Sequence, residues 1–424
     1  MAEGVALPWH KAIDDVVAVV SEARAKVGDT FVVDSGIDRY LFTFSPIGVR
    51  NFYGLPEDRA SKGVADWRML RRKVPDELFS GRRTFPHDLF GRADAHHYLA
   101  NVHAALALAV TELGISGTVE IFEFTRRLGH RVGLASWGGP GSADSPNLEL
   151  LIAAFDVLDA SESFVHPDEM ELVARSGKAT EISALNTVRE LLGTAVDVFD
   201  GAPELAHQHP LFARIAAAWA EEERAARRTG IADDVTLLHI ASMSNLFAAM
   251  GWALVDVFEH PGSCQRVADG DHVWAEQCAM ESTRLAQRSI MSRFVLKPIT
   301  LDDGVQAYEV PSGVTVATLL PMTNATSAPG YDRWDPSRWH RRRLARPEDL
   351  AAVELVTVFG HGKHTCPAQA FSLAAMTAVM RELTTTFEWT RGWTGHPGPL
   401  LTQIGGVSRA ASQCWASYRR STKE

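Results

Sequence analysis

The sequence predicts a mostly α-helical fold with a small β portion, built as one domain over residues 1–424. Three observations carry this. Apolar residues recur at i, i+3, i+4 spacing through most long stretches, as in helices with one buried face. β-Rich runs are short and few. No internal repeat, low-complexity tract or linker divides the chain. With 46% hydrophobic and 22% charged residues there is material for a large core, which excludes a disordered chain, a coiled-coil rod and a collagen-like fibre.

Along the chain, Ile13, Val16, Val17, Val20 and Ala23 predict a helix over 9–27, stopped by Gly28. Two β-rich runs, 30–33 and 40–44, flank Asp34-Ser35-Gly36 and read as a hairpin. Residues 54–92 read as long loops with short helices. Helical patterns recur over 94–192, broken at Gly114, Gly117 and the loop 138–142, and a charged block over 210–228 predicts a surface helix. Asp233-Asp234 reads as the start of a long helix that His260-Pro261-Gly262 ends. At 1.5 Å per residue it spans about 40 Å, and apolar residues on every face send it through the middle of the molecule. A helix over 274–287, a strand over 313–320, a mostly loop stretch with a short helical piece over 321–362 and an apolar helix over 368–383 follow. The β-richer lobe is expected from about 28–60 plus 295–325, and the helical core from about 94–290 and 355–390.

Lys plus Arg total 42 against 52 Asp plus Glu, a net charge of −10 that argues against a nucleic-acid partner. The four cysteines are too few and scattered for a disulfide framework, and none forms a Cys-x-x-Cys pair. The amino terminus shows no basic and apolar leader. The most apolar stretch, 235–258, is diluted by His239, Ser242, Ser244, Asn245 and Asp256, so no membrane span is expected. These features predict a soluble, cytoplasmic protein.

Chemistry concentrates in Phe359-Gly-His-Gly-Lys-His-Thr-Cys366-Pro-Ala368. Its glycines let backbone approach a flat ligand. The loop delivers Cys366 to the start of an apolar helix, where partial positive charge and free N–H groups stabilise a thiolate. A thiolate is the axial ligand through which haem iron favours O–O cleavage. Cys264, Cys278 and Cys414 read as small buried hydrophobes. The segment resembles the cysteine loop of the cytochrome P450 family, Phe-x-x-Gly-x-His-x-Cys-x-Gly: Phe359, Gly362, His364 and Cys366 match, and Ala368 replaces the last glycine. Glu281-Ser-Thr-Arg284 is similar to the family's Glu-x-x-Arg pair, and Trp334-Asp-Pro-Ser-Arg338-Trp339 resembles the meander whose arginine completes that ion network. The motifs cover the second half of the chain; the first half agrees in general layout.

The resemblance implies the cytochrome P450 fold, a triangular helical prism around a buried haem b whose iron Cys366 ligates. It implies that Phe359 and Gly362 shape the haem-binding loop and that Arg293 and His364 bind the propionates. The helix that ordinarily adds a His-x-x-x-Arg contact here reads His97-Tyr-Leu-Ala-Asn101, so His97 or His96 is either a further haem contact or an exposed histidine. By analogy the substrate pocket is lined by loops over 52–92, by Met243 and Phe247 of the central helix, and by 288–292 including Ile290 and Met291. Arg288 reads as a carboxylate clamp, a haem-edge residue or a surface residue.

In most members the central helix carries an acid–threonine pair that relays protons during O–O cleavage. Ser244 and Asn245 stand in those places here. A carboxamide does not titrate near neutral pH, so two enzyme classes stay open. One is a monooxygenase whose relay runs through Ser244, Asn245 and ordered water. The other is an O2-independent isomerase or dehydratase, or a peroxide-using enzyme. The pattern Ala241-Ser-x-x-Asn245, with Ala249 and Trp252, is similar to both bile-acid sterol hydroxylases and prostacyclin synthase. A third reading leaves Asn245 bonded to backbone. The expectation is hydroxylation or epoxidation of a lipophilic small molecule, in secondary or lipid metabolism. Electrons would come from a separate ferredoxin and ferredoxin reductase, because no flavin or iron–sulfur cysteine pattern accompanies the motifs. Arg341-Arg342-Arg343 with Arg346 forms a basic run that either steers an acidic ferredoxin or is a solvated loop.

Overall fold

In the computed structural model, which describes residues 4–6, 13–34, 38–91, 94–159 and 167–422, the first helix is Val16–Val27. Asp15 Oδ1 accepts the otherwise free N–H groups of Val17 and Ala18, and Gly28 ends the helix at φ 98°. The expected start over 9–12 and the hairpin turn at Ser35-Gly36 lie outside the described residues.

The main sheet has the spatial order Gly4–Ala6, Thr30–Asp34, Arg39–Thr43, Thr315–Leu319, Ile290–Val295, Ala60–Ser61. Phe31 pairs with Phe42 across the antiparallel hairpin, and Phe31, Phe42 and Phe44 stack at ring separations near 6 Å, which fixes the register. The hairpin joins Thr315–Leu319 in parallel, and Arg293 pairs with Val316 on the next strand. A second sheet was not expected. Ser116–Glu120 and Phe387–Arg391 flank Trp415–Arg420, all antiparallel. Gly117 reads as a breaker in the sequence, yet it is there so that Tyr418 can lie over it: a Cβ would stand 2.5 Å from the Tyr418 hydroxyl.

Helices Asp94–Leu113, Ile121–Trp137, Asn147–Leu158, Ala179–Gly201, His272–Ala286 and Gln369–Thr386 surround the central helix, Arg224–Glu259. The central helix begins nine residues before Asp233 and its 36 residues span about 54 Å. Asp233 and Asp234 are not its start. Asp233 takes a two-pronged ion pair from Arg189 at 2.8 Å, and Asp234 accepts Trp219 Nε1, Thr84 N and Thr84 Oγ1, so both tie the helix sideways to its neighbours. The expected 210–228 helix is correspondingly split: Pro210–Ala218 ends at Trp219, whose ring packs flat on Gly230. The central helix is long and apolar enough to cross a membrane, but 72% of its most apolar window is buried inside the protein, as in a core helix. It reaches Ile121–Trp137 through Gly129, Gly133 and Gly251, where a Cβ would come within 2.7–3.0 Å of Phe247, Met243 or Phe122. The apolar core runs on both sides of it.

Candidate active site

Gly360 (φ 81°) and Gly362 (φ 59°) hold the cysteine loop in left-handed backbone, and a Cβ on Gly360 would lie 2.4 Å from the His364 carbonyl oxygen. The Cys366 N–H donates to the Phe359 carbonyl at 2.7 Å, which closes the loop just ahead of Gln369–Thr386. Cys366 is half-buried. Burial pushes its thiol up, and the backbone N–H groups of Ala368 and Gln369 at the helix start pull it back.

Arg293, almost fully buried, reaches His364 from the Ile290–Val295 strand: Nη1 stands 2.6 Å from His364 Nε2 and 3.4 Å from Glu57 Oε2. Its guanidinium lies over the Phe52 ring and donates to the Tyr53 carbonyl. Burial first, then Arg293, lowers the pKa of His364. Glu57 already accepts Ser61 Oγ and the Lys62 and Gly63 N–H groups. Arg293, which can only donate, therefore gives an N–H to His364 Nε2, and its guanidinium stands beside one carboxylate that is largely engaged, an arrangement suited to a further anion.

The Glu-x-x-Arg pair is a buried fork. Arg284 Nε and Nη2 bond the two Glu281 oxygens at 2.8 and 2.7 Å, both side chains at 0% exposure. Arg338 Nε, Trp339 Nε1 and the Asp335 N–H also converge on Glu281, and the Arg338 guanidinium packs on Tyr331. Asn324, which sequence reasoning missed, carries this network to the cysteine loop. Arg284 Nη1 donates to its carbonyl; its Nδ2 donates to the Arg284 and Thr357 carbonyls; its Oδ1 accepts the Thr357 N–H; and Thr357 Oγ1 accepts the Gly360 N–H. Nothing in the local sequence marks it, because every partner is distant in the chain.

On the central helix Ala241 is exposed and Ser242, Ser244 and Asn245 are partly so, between the buried Ile240, Met243 and Leu246. Asn245, one turn on from Ala241, does not stand free. Its Oδ1 accepts the Val407 N–H at 2.8 Å, its Nδ2 approaches the Ala241 carbonyl at 3.4 Å, and Gly406 packs against it so closely that no Cβ fits. Trp252 Nε1 donates to the Ser408 carbonyl on the same face, and Ser289 Oγ accepts the Gly406 N–H. Ser244 sits about 60° around the helix from Ala241, on the side where Asp159, the residue that caps Asn147–Leu158, approaches. Asp159 was also missed, its contact with Ser244 being purely tertiary.

Other expected residues fall elsewhere. Met243 and Phe247 face Gly133, Gly129 and His130 of Ile121–Trp137, on the opposite side of the helix from Ala241, and are core residues rather than pocket walls. Ile290 and Met291 alternate across their strand, so one side of the sheet cannot take both; Ile290 packs with the cluster containing Ile404, Met291 with the cluster containing Val295. Arg288 is neither clamp nor haem edge among its described contacts. It is buried and donates to the Gln403 and Leu401 carbonyls. His97 is exposed beside His96, because Tyr98 and Val102 take the inward side of Asp94–Leu113, while Asn101 bonds Ala135 and Ser136.

The donor set fits a thiolate-ligated haem: a half-buried cysteine under helix N–H groups, a buried arginine beside a histidine for the carboxylates, and an exposed Ala241 on an otherwise largely buried central helix. Cys366 would hold the iron, with Arg293 and His364 on the propionates.

No protein-family model matches the chain. Among curated proteins, it is 27% identical over 161 residues to 24-hydroxycholesterol 7-alpha-hydroxylase of Homo sapiens, covering 32% of this chain and 33% of that one. It is 24% identical over 180 residues to abscisic acid 8'-hydroxylase 2 of Arabidopsis thaliana, covering 38% and 36%. The alignments thus span about a third of the length of these relatives. A longer one, 21% identical over 411 residues, pairs 91% of the chain with 82% of the cytochrome P450 monooxygenase pyvB of Aspergillus violaceofuscus. Taken with the helical fold, its small sheets and the buried Glu281–Arg284–Arg338 fork beside the cysteine loop, these likenesses carry one conclusion: over most of its length the chain is similar to cytochrome P450 monooxygenases.

Proposed function

We propose that the protein is a haem b monooxygenase that hydroxylates or epoxidises a lipophilic small molecule in the cytoplasm, with electrons from a separate ferredoxin and its reductase. The observation that carries the reading is Cys366 at the head of Gln369–Thr386, with Arg293 and His364 together nearby. Haem held through a thiolate supplies dioxygen reduction and insertion of one oxygen atom. The remaining work falls to the chain. The Ala368 and Gln369 N–H groups favour the thiolate form of Cys366. The apolar surroundings of the central helix suit a substrate held by few polar contacts. Asn245, tied to Val407, fixes the 404–408 segment. The two relatives named as hydroxylases of 24-hydroxycholesterol and abscisic acid support a lipophilic substrate class.

The ferredoxin assignment rests on the basic run. Arg342 is spent on Glu276 and Arg346 faces Asp349, whereas Arg341 and Arg343 line a groove of about 880 Å³ with Arg266, Trp274 and His340. An excess of positive charge there suits an acidic carrier.

The test is spectral and isotopic. The reduced carbon monoxide complex of the holoprotein should show the red-shifted Soret band of thiolate ligation, and Cys366→Ser should abolish it while leaving folded protein. Product formed under labelled dioxygen should carry one labelled atom. A product without label would establish the O2-independent or peroxide-using class instead.

A further inference from the structure

At the far end of the central helix, about 22 Å along its axis from Ala241, a second group of ligating side chains converges. Asp256 and Glu259 stand about one turn apart on the helix, and His396 reaches them from the segment after the strand Phe387–Arg391. One ligand atom from each lies within 4.8 Å of the others, His396 Nδ1 being 3.0 Å from Glu259 Oε2 and 3.8 Å from Asp256 Oδ1. The local sequence builds this approach. Gly395 (φ 72°) and Gly398 (φ 65°) take left-handed backbone on either side of His396, and the Trp252 ring packs against the imidazole at 5.3 Å. Glu259 is oriented through its other oxygen: Trp393 Nε1 donates to Oε1 at 2.7 Å and Arg391 stands 3.5 Å from the same atom, which leaves Oε2 turned to His396.

Asp256 is 3% exposed and bears a carboxyl group that the protein satisfies poorly. The groups placed to donate to it are Ser282 and His396. At 3.8 Å the imidazole is beyond hydrogen-bond reach, and Ser282, whose Oγ also accepts Trp334 Nε1 at 3.0 Å, has a single hydrogen to give. At least one of the two buried carboxyl oxygens therefore has no donor among the described residues, and Oδ1 is aimed at the same point as Glu259 Oε2 and His396 Nδ1. The hydrogen bond between Glu259 and His396 accounts for two members of the group and leaves Asp256 unexplained. Burying a carboxylate in this way is costly unless a cation meets it.

We propose that Asp256, Glu259 and His396 form a structural site for one divalent transition-metal ion of the zinc class, which clips the segment after Phe387–Arg391 to the end of the central helix. The site is independent of the monooxygenase reading. Bonds of about 2.0–2.2 Å to nitrogen and carboxylate oxygen set neighbouring donors about 3–4 Å apart, and both separations from His396 already lie in that range. One imidazole and two carboxylates select zinc and its neighbours over magnesium and calcium, which take oxygen ligands. The imidazole binds through Nδ1 and carries its proton on Nε2. His396 is exposed, so water can fill the remaining coordination positions.

The test uses the metal alone and needs no turnover. Zinc chloride titrated calorimetrically into the haem-loaded protein, freed beforehand of other divalent ions with a chelator, should bind at one ion per chain and raise the melting temperature. X-ray absorption at the zinc edge should report a first shell of nitrogen and oxygen at about 2.0–2.2 Å, with no sulfur. His396→Ala should weaken binding at least about tenfold and cancel the thermal shift, as should Glu259→Gln, which keeps an oxygen for Trp393. Each variant is compared with and without zinc, so a lower starting stability does not mask the result. Three outcomes overturn the proposal: no binding at millimolar zinc; an unchanged affinity in His396→Ala, as scattered surface histidines would give; or a sulfur neighbour at about 2.3 Å, which would put the ion on a cysteine. Should His396→Ala fail to fold, an unchanged affinity in Glu259→Gln does the same.

Discussion

Glu281 is closed to solvent, and donors from Arg284, Asp335, Arg338 and Trp339 converge on its two oxygens. Removing its charge strands two guanidinium groups, one of them at 0% exposure. An unpaired buried charge costs far more than the ion pair contributes, so Glu281→Gln should lose about 3–5 kcal/mol. Urea unfolding of the two proteins measures this, and a loss below about 1 kcal/mol would show that the fork is dispensable. Because Asn324 and Thr357 run from Arg284 to Gly360, the same variant should also slacken the cysteine loop. At this scale the sequence was uneven. Glu281, Arg284, Arg338 and Cys366 were legible because their spacing is local. Asn324, Glu57 and Asp159 were not, because each meets partners on other elements and nothing near them in the chain announces the contact.

Among elements, the central helix shows how far hydropathy patterning reaches and where it stops. Its existence and its all-round burial follow from apolar residues on every face. Its start does not, since Asp233-Asp234 has the look of an N-terminal signal, and only the folded chain shows the carboxylates turned outward to Arg189, Thr84 and Trp219. The extra turns depend on Gly230, where a Cβ would fall 2.2 Å from the Trp219 ring. Gly230→Ala should therefore displace Trp219 and weaken its bond to Asp234. The expected cost is about 1–3 kcal/mol, despite the better helix propensity of alanine, and comparison of denaturation midpoints checks it. A stabilised variant would mean that the Trp219 ring yields freely.

For the whole molecule, the strand Trp415–Arg420 joins distant parts of the chain. It is the middle strand of its sheet, pairs Ser116–Glu120 on one side and Phe387–Arg391 on the other, and buries Ala416 and Tyr418. Cys414 reinforces the seam, its N–H donating to Glu120 Oε1 and its carbonyl accepting the Ile121 N–H. Truncation before residue 414 should unpair both neighbours and cost at least about 3 kcal/mol. The readout is loss of a single cooperative melting transition. The sheet was unreadable from the sequence because Gly117 imitates a break and its pairing partners lie about 300 residues on.

The anchoring of residues 404–408 has a mechanical consequence. Asn245, Trp252 and Ser289, together with the Arg288 backbone, which bonds Gly405 and Gly406, fasten that segment at successive points to the central helix and to the turn after His272–Ala286. A segment fastened this way has the compliance of a core helix, not of a loop. It passes a displacement of the central helix on instead of absorbing it, and Asn245→Thr, which removes the anchor on Val407, would soften it at that point.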